Sequence, residues 1–226
     1  MTVVIAAPAT MSYYRPVSTP SLAWPDANAS ISPMQPRVVA VVANYGGAGV
    51  PLTECAVAAV SRQAGSFDPA IVVVDDGSGV DVVRRLRVAI PAEAEVIALR
   101  TNRGYAAACN EGIRWGSALD PAYIWLLNND IDMDSGTLSR LVEALERTPE
   151  WAAAAPATVD VGGTRVLGAG ATLHKLRGRL RHRWEGADPS SLPTEPYEVL
   201  AATLFGDDPA ELGGDVTAAL GGDAAA

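Results

Sequence analysis

Four apolar runs lie between residues 37 and 127, and each breaks off at a polar cluster. Arg37 to Ala43 runs into Asn44-Tyr45-Gly46-Gly47, and Ala70 to Val74 into Asp75-Asp76-Gly77-Ser78. Glu95 to Arg100 runs into Thr101-Asn102-Arg103-Gly104, and Tyr123 to Leu127 into Asn128-Asn129-Asp130. Short, nearly continuous apolar runs bounded by turn residues are strands buried on both faces. Helical segments separate them: Pro51, in a first turn, to about Gln63; Asp81 to Ile90; and Tyr105 to about Ala118. A further helix, capped by Ser135, should run to about Arg147. Strand and helix alternating at this spacing specify an α/β fold, a Rossmann-like and mostly parallel sheet with helices on both faces.

A parallel sheet brings all four strand ends to one edge, where open α/β sheets bind their ligands. Asn44 and Tyr45 offer an amide and an aromatic face there. Asp75 and Asp76 offer acceptors suited to the N–H of a base or to ribose hydroxyls. Asn102 and Gly104 open a helix whose first N–H groups favour an anion. Asp130 and Asp132 are two apart, so they share a face if the strand conformation persists, and their hard oxygens suit Mg²⁺ or Mn²⁺. Taken singly, each cluster is also an ordinary turn or helix cap. Their coincidence on one edge is what points to a site.

Composition narrows the classes. The chain has 226 residues, 49% of them apolar, which suits one domain with a sizeable core. No stretch approaches the roughly 20 apolar residues of a membrane-spanning helix, and the start lacks the pattern of a signal peptide. Two cysteines, Cys55 and Cys109, make no disulfide framework, so a cytoplasmic location is expected. The net charge of −9 argues against a nucleic-acid partner. Residues 1–36 are rich in Pro, Ser, Thr and Ala without a sustained period, so they are expected to be a disordered tail, and Met34 is an alternative start. Residues 151–200 read as strands and loops. Residues 201–226 form an acidic tail carrying Asp207, Asp208, Glu211, Asp215 and Asp223 and no Lys or Arg.

The order of motifs resembles the family 2 glycosyltransferases of the GT-A fold, and within them the rhamnosyltransferase-like branch. The resemblance is carried by Val42-Ala43-Asn44-Tyr45, by Val73-Val74-Asp75-Asp76-Gly77-Ser78, by the run from Asn102 to Ile113 that includes Gly104, Asn110 and Gly112, and by Leu126-Leu127-Asn128-Asn129-Asp130. It covers about residues 37–200 and weakens after 150. It implies a nucleotide-diphospho-sugar donor bound by Ala43, Asn44, Tyr45, Asp75, Asp76, Asn102, Gly104, Asn110 and Asn129. It also implies a divalent metal, Mg²⁺ or Mn²⁺, on Asp130, with Asp132 a less certain ligand. The donor would be dTDP-rhamnose or a UDP-sugar, and the acceptor a glycan or lipid-linked hydroxyl.

The chain departs from that pattern after residue 200. The family's general base lies beyond a Gly-rich acceptor loop, and Leu200 to Asp208 does not resemble that loop. Asp207-Asp208 is a weak substitute, so no base is assigned. Residues 37–200 are then expected to be an incomplete, donor-binding half, and a remnant that binds without transferring is the alternative. A dinucleotide oxidoreductase is more remote, because Gly47-Ala48-Gly49 lacks the third glycine of the fingerprint and Pro51 sits in the phosphate turn. Lys175, Arg177, Arg179, Arg181 and Arg183 recur at every second residue, which on one strand would align five cations. That stripe is either a charged edge strand or a contact for phosphates, a lipid-linked acceptor or a membrane surface.

Overall fold

The structure, a computed structural model, describes residues 3–6, 36–149, 151–174 and 179–194. A six-stranded sheet forms its centre, built from β1 (Val3–Ala6), β2 (Arg37–Asn44), β3 (Asp68–Asp75), β4 (Glu95–Ala98), β5 (Tyr123–Asn128) and β6 (Ala153–Ala154). The strand order is β4-β3-β2-β5-β1-β6. The pairings β4 with β3, β3 with β2 and β2 with β5 are parallel, and β1 runs antiparallel to both β5 and β6. Helices α1 (Gly49–Ser61), α2 (Val80–Ala89), α3 (Tyr105–Ser117) and α4 (Thr137–Arg147) cover the faces.

The period of two along each strand divides the core into two layers. Val38, Ala40, Val42, Val73, Trp125 and Leu127 face α1, α2 and α4. Val39, Val41, Val72, Val74, Ile124 and Leu126 face α3. Full burial of each Val, Leu or Ile among them stabilises by about 1.5–3 kcal/mol. The second layer is thin because α3 lies close to the sheet. A Cβ on Gly112 would fall 2.3 Å from Val41 Cγ1, and one on Gly116 would fall 2.5 Å from Val39 Cγ1. The glycine of the Asn110-Glu111-Gly112 run is therefore a packing residue.

The α/β architecture is as the periodicity specified, and three expectations change. Val3–Ala6 lies in the tail expected to be disordered, yet it forms a strand, because its four apolar residues pair with β5 and the last two of them also with β6. Ser135 does not cap α4, whose preceding residue is Gly136, with no side-chain cap. Gln63 does that work from the end of α1: its Oε1 accepts from Leu138 N at 2.8 Å, and its Nε2 donates to the Asp134 carbonyl at 3.0 Å. Of the basic stripe, Arg179 and Arg181 lie on β10 (Arg179–His182), which pairs antiparallel with β9 (Ala171–His174), while Arg183 lies beyond the end of that strand. Residues 175–178 and the Asp207-Asp208 pair lie outside the described residues, as do residues 7–35. A short antiparallel pair, β7 (Thr158–Val159) with β8 (Val166–Gly168), completes the strand-and-loop region.

Candidate functional site

The chain leaves β2 toward β3 on one side and returns to it from β5 on the other, so the order of strands reverses at β2. Crevices outside the carboxyl ends of strands at such a reversal are the ligand sites of open α/β sheets. The ends of β2, β3 and β5 meet here.

The β2 and β3 ends are closed upon themselves. Asn44 is 1% exposed, Asp75 0% and Asp76 4%. Asn44 Nδ2 donates to Asp75 Oδ1 at 2.8 Å, and Ser78 N donates to Asp75 Oδ2 at 2.9 Å. Asp76 Oδ1 and Oδ2 accept from Arg103 N and Gly104 N, both at 2.8 Å. The anion at the start of α3 is thus the protein's own carboxylate. Gly77 makes this possible. Its φ is +77°, and a Cβ there would fall 2.3 Å from the Thr101 backbone carbon, so only glycine lets the two loops meet. Asn102 is exposed and its Oδ1 also accepts from Gly104 N, at 3.0 Å. Asn110 is half-buried on α3, and Ala43 is buried under the β2 end. Tyr45 stands out from this edge, 62% exposed.

The β5 end is open. The strand stops at Asn128, and Asn129-Asp130 is a turn, so strand alternation does not place Asp130 and Asp132. They still flank the buried Ile131 on the solvent side. Asp132, with its side chain 91% exposed, sits 3.6 Å from Arg62 and accepts from Met133 N. Asp130 is exposed and has no hydrogen-bond or ion-pair partner among the described residues. Asn129 is half-buried; its Nδ2 donates to Thr53 Oγ1 at 3.2 Å and reaches the Gly49 carbonyl at 3.5 Å. Gly49 has both amides against it, Asn44 Oδ1 and Asn129 Nδ2 lying 2.6 and 2.9 Å from where a Cβ would stand. The glycine turn after β2 thus accommodates side-chain amides, not the glycine fingerprint of a dinucleotide fold.

Two neighbours of the site escape a reading of strand ends. Thr53 is fully buried on α1, and its hydroxyl donates to Asn44 Oδ1 at 2.9 Å. Tyr105 opens α3. Burial, then the neighbouring Cys109 and the charge of Asp130, hold its hydroxyl well above the usual tyrosine range, so it stays protonated. Burial likewise pushes the Cys109 thiol up to about 12, against a hydrogen bond from Tyr105 that lowers it. Neither residue is assigned to the site by the sequence. Thr53 is a lone threonine on a helix, and Tyr105 lies within the Asn102–Ile113 run without a role assigned to it.

Among the described residues no three His, Cys, Asp or Glu side chains cluster into a metal cage. The oxygens available, Asp130 and the free Oδ1 of Asn129, fit instead an ion such as Mg²⁺ or Mn²⁺ that keeps waters and takes one or two carboxylates plus phosphate oxygens.

Solved structures with a similar chain path include S. aureus TarS (19% identity, TM-score 0.38, covering 49% of this chain and 20% of that one). The mannosyltransferase PcManGT from Pyrobaculum calidifontis, solved with GDP-Man and Mn²⁺, is 24% identical, with a TM-score of 0.39 over 49% of this chain and 32% of that one. TarS 1-349 with UDP-GlcNAc is 19% identical, with a TM-score of 0.37, covering 49% and 31%. The chain thus spans a third or less of these relatives, and scores this low carry no weight for site or substrate. No curated protein matches. The family model described as Glycosyl transferase family 2 matches residues 41–188, from within β2 to the loop before the last described turn. That is more than half of the sequence, and the chain belongs to glycosyl transferase family 2.

Proposed function

We propose that this chain binds a nucleotide-diphospho-sugar at the crevice between β3, β2 and β5, and that it is the donor-binding half of a metal-assisted glycosyltransferase. The observation that carries the reading is the open β5 end: Asp130 is exposed, and neither its carboxylate nor the neighbouring Asn129 amide oxygen has a partner among the described residues, at the reversal point of a family 2 sheet. Asp130 and Asn129 would hold Mg²⁺ or Mn²⁺. When bound, such an ion offsets the charge that develops on the departing diphosphate. Tyr45 offers an exposed ring against which a base can stack. Asn44 and Asp75, bonded to each other, and Asp76, bonded to the N–H groups of Arg103 and Gly104, hold the crevice in shape. Asn102 and Gly104 border it from the loop before α3, Asn110 from α3 itself, and Ala43 forms its floor. Asp132 is the weaker metal candidate, since Arg62 already faces it.

The acceptor is then a hydroxyl of a glycan or lipid-linked sugar, and the place of work the cytoplasm or the inner face of a membrane. Among the described residues no helix is long and apolar enough to cross one. Which sugar is carried, rhamnose on dTDP or another on UDP, is a family-level proposal. The second reading, a remnant that binds donor without transferring it, is supported by the lack of an acceptor-loop pattern after residue 200. Calorimetric titration of UDP and dTDP, with and without Mn²⁺, tests the first step. Metal-enhanced binding lost in Asp130→Asn is expected, and its absence from a folded chain overturns the reading. Donor hydrolysis or transfer then separates enzyme from remnant.

A further inference from the structure

A buried relay runs from Asp75 to Asn129, and its polarity can be read by elimination. An ionised carboxylate only accepts hydrogen bonds, so Asn44 must turn its NH₂ toward Asp75, at 2.8 Å. Its carbonyl oxygen then faces Thr53, whose single hydroxyl proton goes to it, at 2.9 Å. With that proton spent, Thr53 Oγ1 can only accept along the next link, and it takes the NH₂ of Asn129 at 3.2 Å. The Gly49 carbonyl, an acceptor too, lies 3.5 Å from the same nitrogen. The amide oxygen of Asn129 is what remains. It accepts no hydrogen bond among the described residues and belongs to the residue next to Asp130.

We infer that Thr53 is a positioning residue that fixes Asn129 with its oxygen, not its NH₂, toward the Asp130 crevice, and so makes Asn129 a second hard oxygen for a divalent cation. The inference rests on the function proposed above and deepens it. The chemistry is selective. An amide oxygen suits a cation and repels a bare phosphate oxygen, whereas an NH₂ does the reverse. Thr53 is on α1 and fully buried between the amides of Asn44 and Asn129, so it touches neither donor nor metal and bears on the crevice through Asn129. Gly49 belongs to the same device, because any side chain there would displace both amides.

The test uses the full chain and two readouts. Side-chain amide exchange, followed by NMR, should show the Asn129 NH₂ protected in the wild type and in Thr53→Ser, and exchanging freely in Thr53→Val. Calorimetry should show that the ratio of UDP affinity with Mn²⁺ to that without it falls on the order of 10-fold in Thr53→Val, the scale of losing a group that orients a metal ligand. Thr53→Ser should restore it, and metal-free UDP affinity should hold or rise in Thr53→Val as the amide turns over. A wild-type NH₂ that exchanges freely overturns the relay. Equal losses with and without Mn²⁺, accompanied by a lower melting temperature, assign Thr53 to the scaffold and overturn the inference. A protected NH₂ with no Mn²⁺ effect in the wild type supports the relay, while overturning the metal role together with the function proposed above.

Discussion

The β3 end and the β5 end carry the same kind of sequence, an apolar strand breaking into carboxylates, and the fold uses them in opposite ways. At β3, four carboxylate oxygens meet four protein donors, from Asn44, Ser78, Arg103 and Gly104. At β5, Asp130 meets none among the described residues. Acidic residues at a strand end are therefore not one signal. Where neighbouring loops supply donors, a carboxylate is a strut. Where they do not, its charge stays open to solvent. The burial difference follows, since a buried carboxylate is tolerated only when it is hydrogen-bonded.

Substitutions can break this comparison. The largest effect should come from Asp76→Ala, which strips the partners from two loop N–H groups and uncouples the start of α3 from β3. A loss of about 3 kcal/mol is expected in urea denaturation. A loss below 1 kcal/mol would erase the distinction between the two ends. Gly112→Ala drives a Cβ into Val41 and should cost about 1–3 kcal/mol by the same assay. At the open end, Asp130→Asn should leave the urea midpoint where it is and remove the Mn²⁺-dependent part of UDP binding. A drop in stability comparable to that of Asp76→Ala would make Asp130 a strut too.

Alkaline pH sharpens the contrast from the scaffold side. Tyr123 bonds Glu146 at 2.5 Å, and burial, then that bond and the Glu146 charge, push its pKa up to about 12 from an ordinary 10.0. The folded chain therefore keeps a proton that the unfolded chain has released. This stability is complete below pH 10 and should fall by roughly 1 kcal/mol per pH unit between 10 and 12. Tyr123→Phe should flatten that part of the melting-temperature profile, and an unchanged slope would refute the assignment. The smallest effect belongs to Asp132→Asn: an exposed pair with Arg62 should not move the melting temperature measurably. Whether Asp132→Asn lowers the Mn²⁺ dependence decides if it joins Asp130 as a ligand.

The sheet was legible in the sequence because its central strands are buried on both faces and so are apolar without interruption, as in Val38–Val42 and Tyr123–Leu127. The edge where ligands meet the sheet followed from parallel topology alone. What escaped depends on partners distant in the chain. The cap of α4 comes from Gln63, and the strand Val3–Ala6 finds its partners in β5 and β6. Neither leaves a local pattern. The roles within the site were hidden for the same reason: nothing near Asp75 or Asp130 in sequence says which one the loops will supply with donors. Thr53 joins the relay only because α1 packs its first turns over the ends of β2 and β5.

The antiparallel strand β1 bears on the order of assembly. Val3 pairs with Leu127 and Ala6 with Ala153, so a segment that precedes β2 in the chain must wait for nearly all of the sheet before it finds a register. The β2-α1-β3 unit closes over short loops and can form while the chain is still being made. Closing the loop from β1 to β5 carries a larger entropic cost, and contacts of such long sequence separation slow folding. Until that strand docks, the outer side of β5 stands as an unpaired edge, open to any other extended segment within reach.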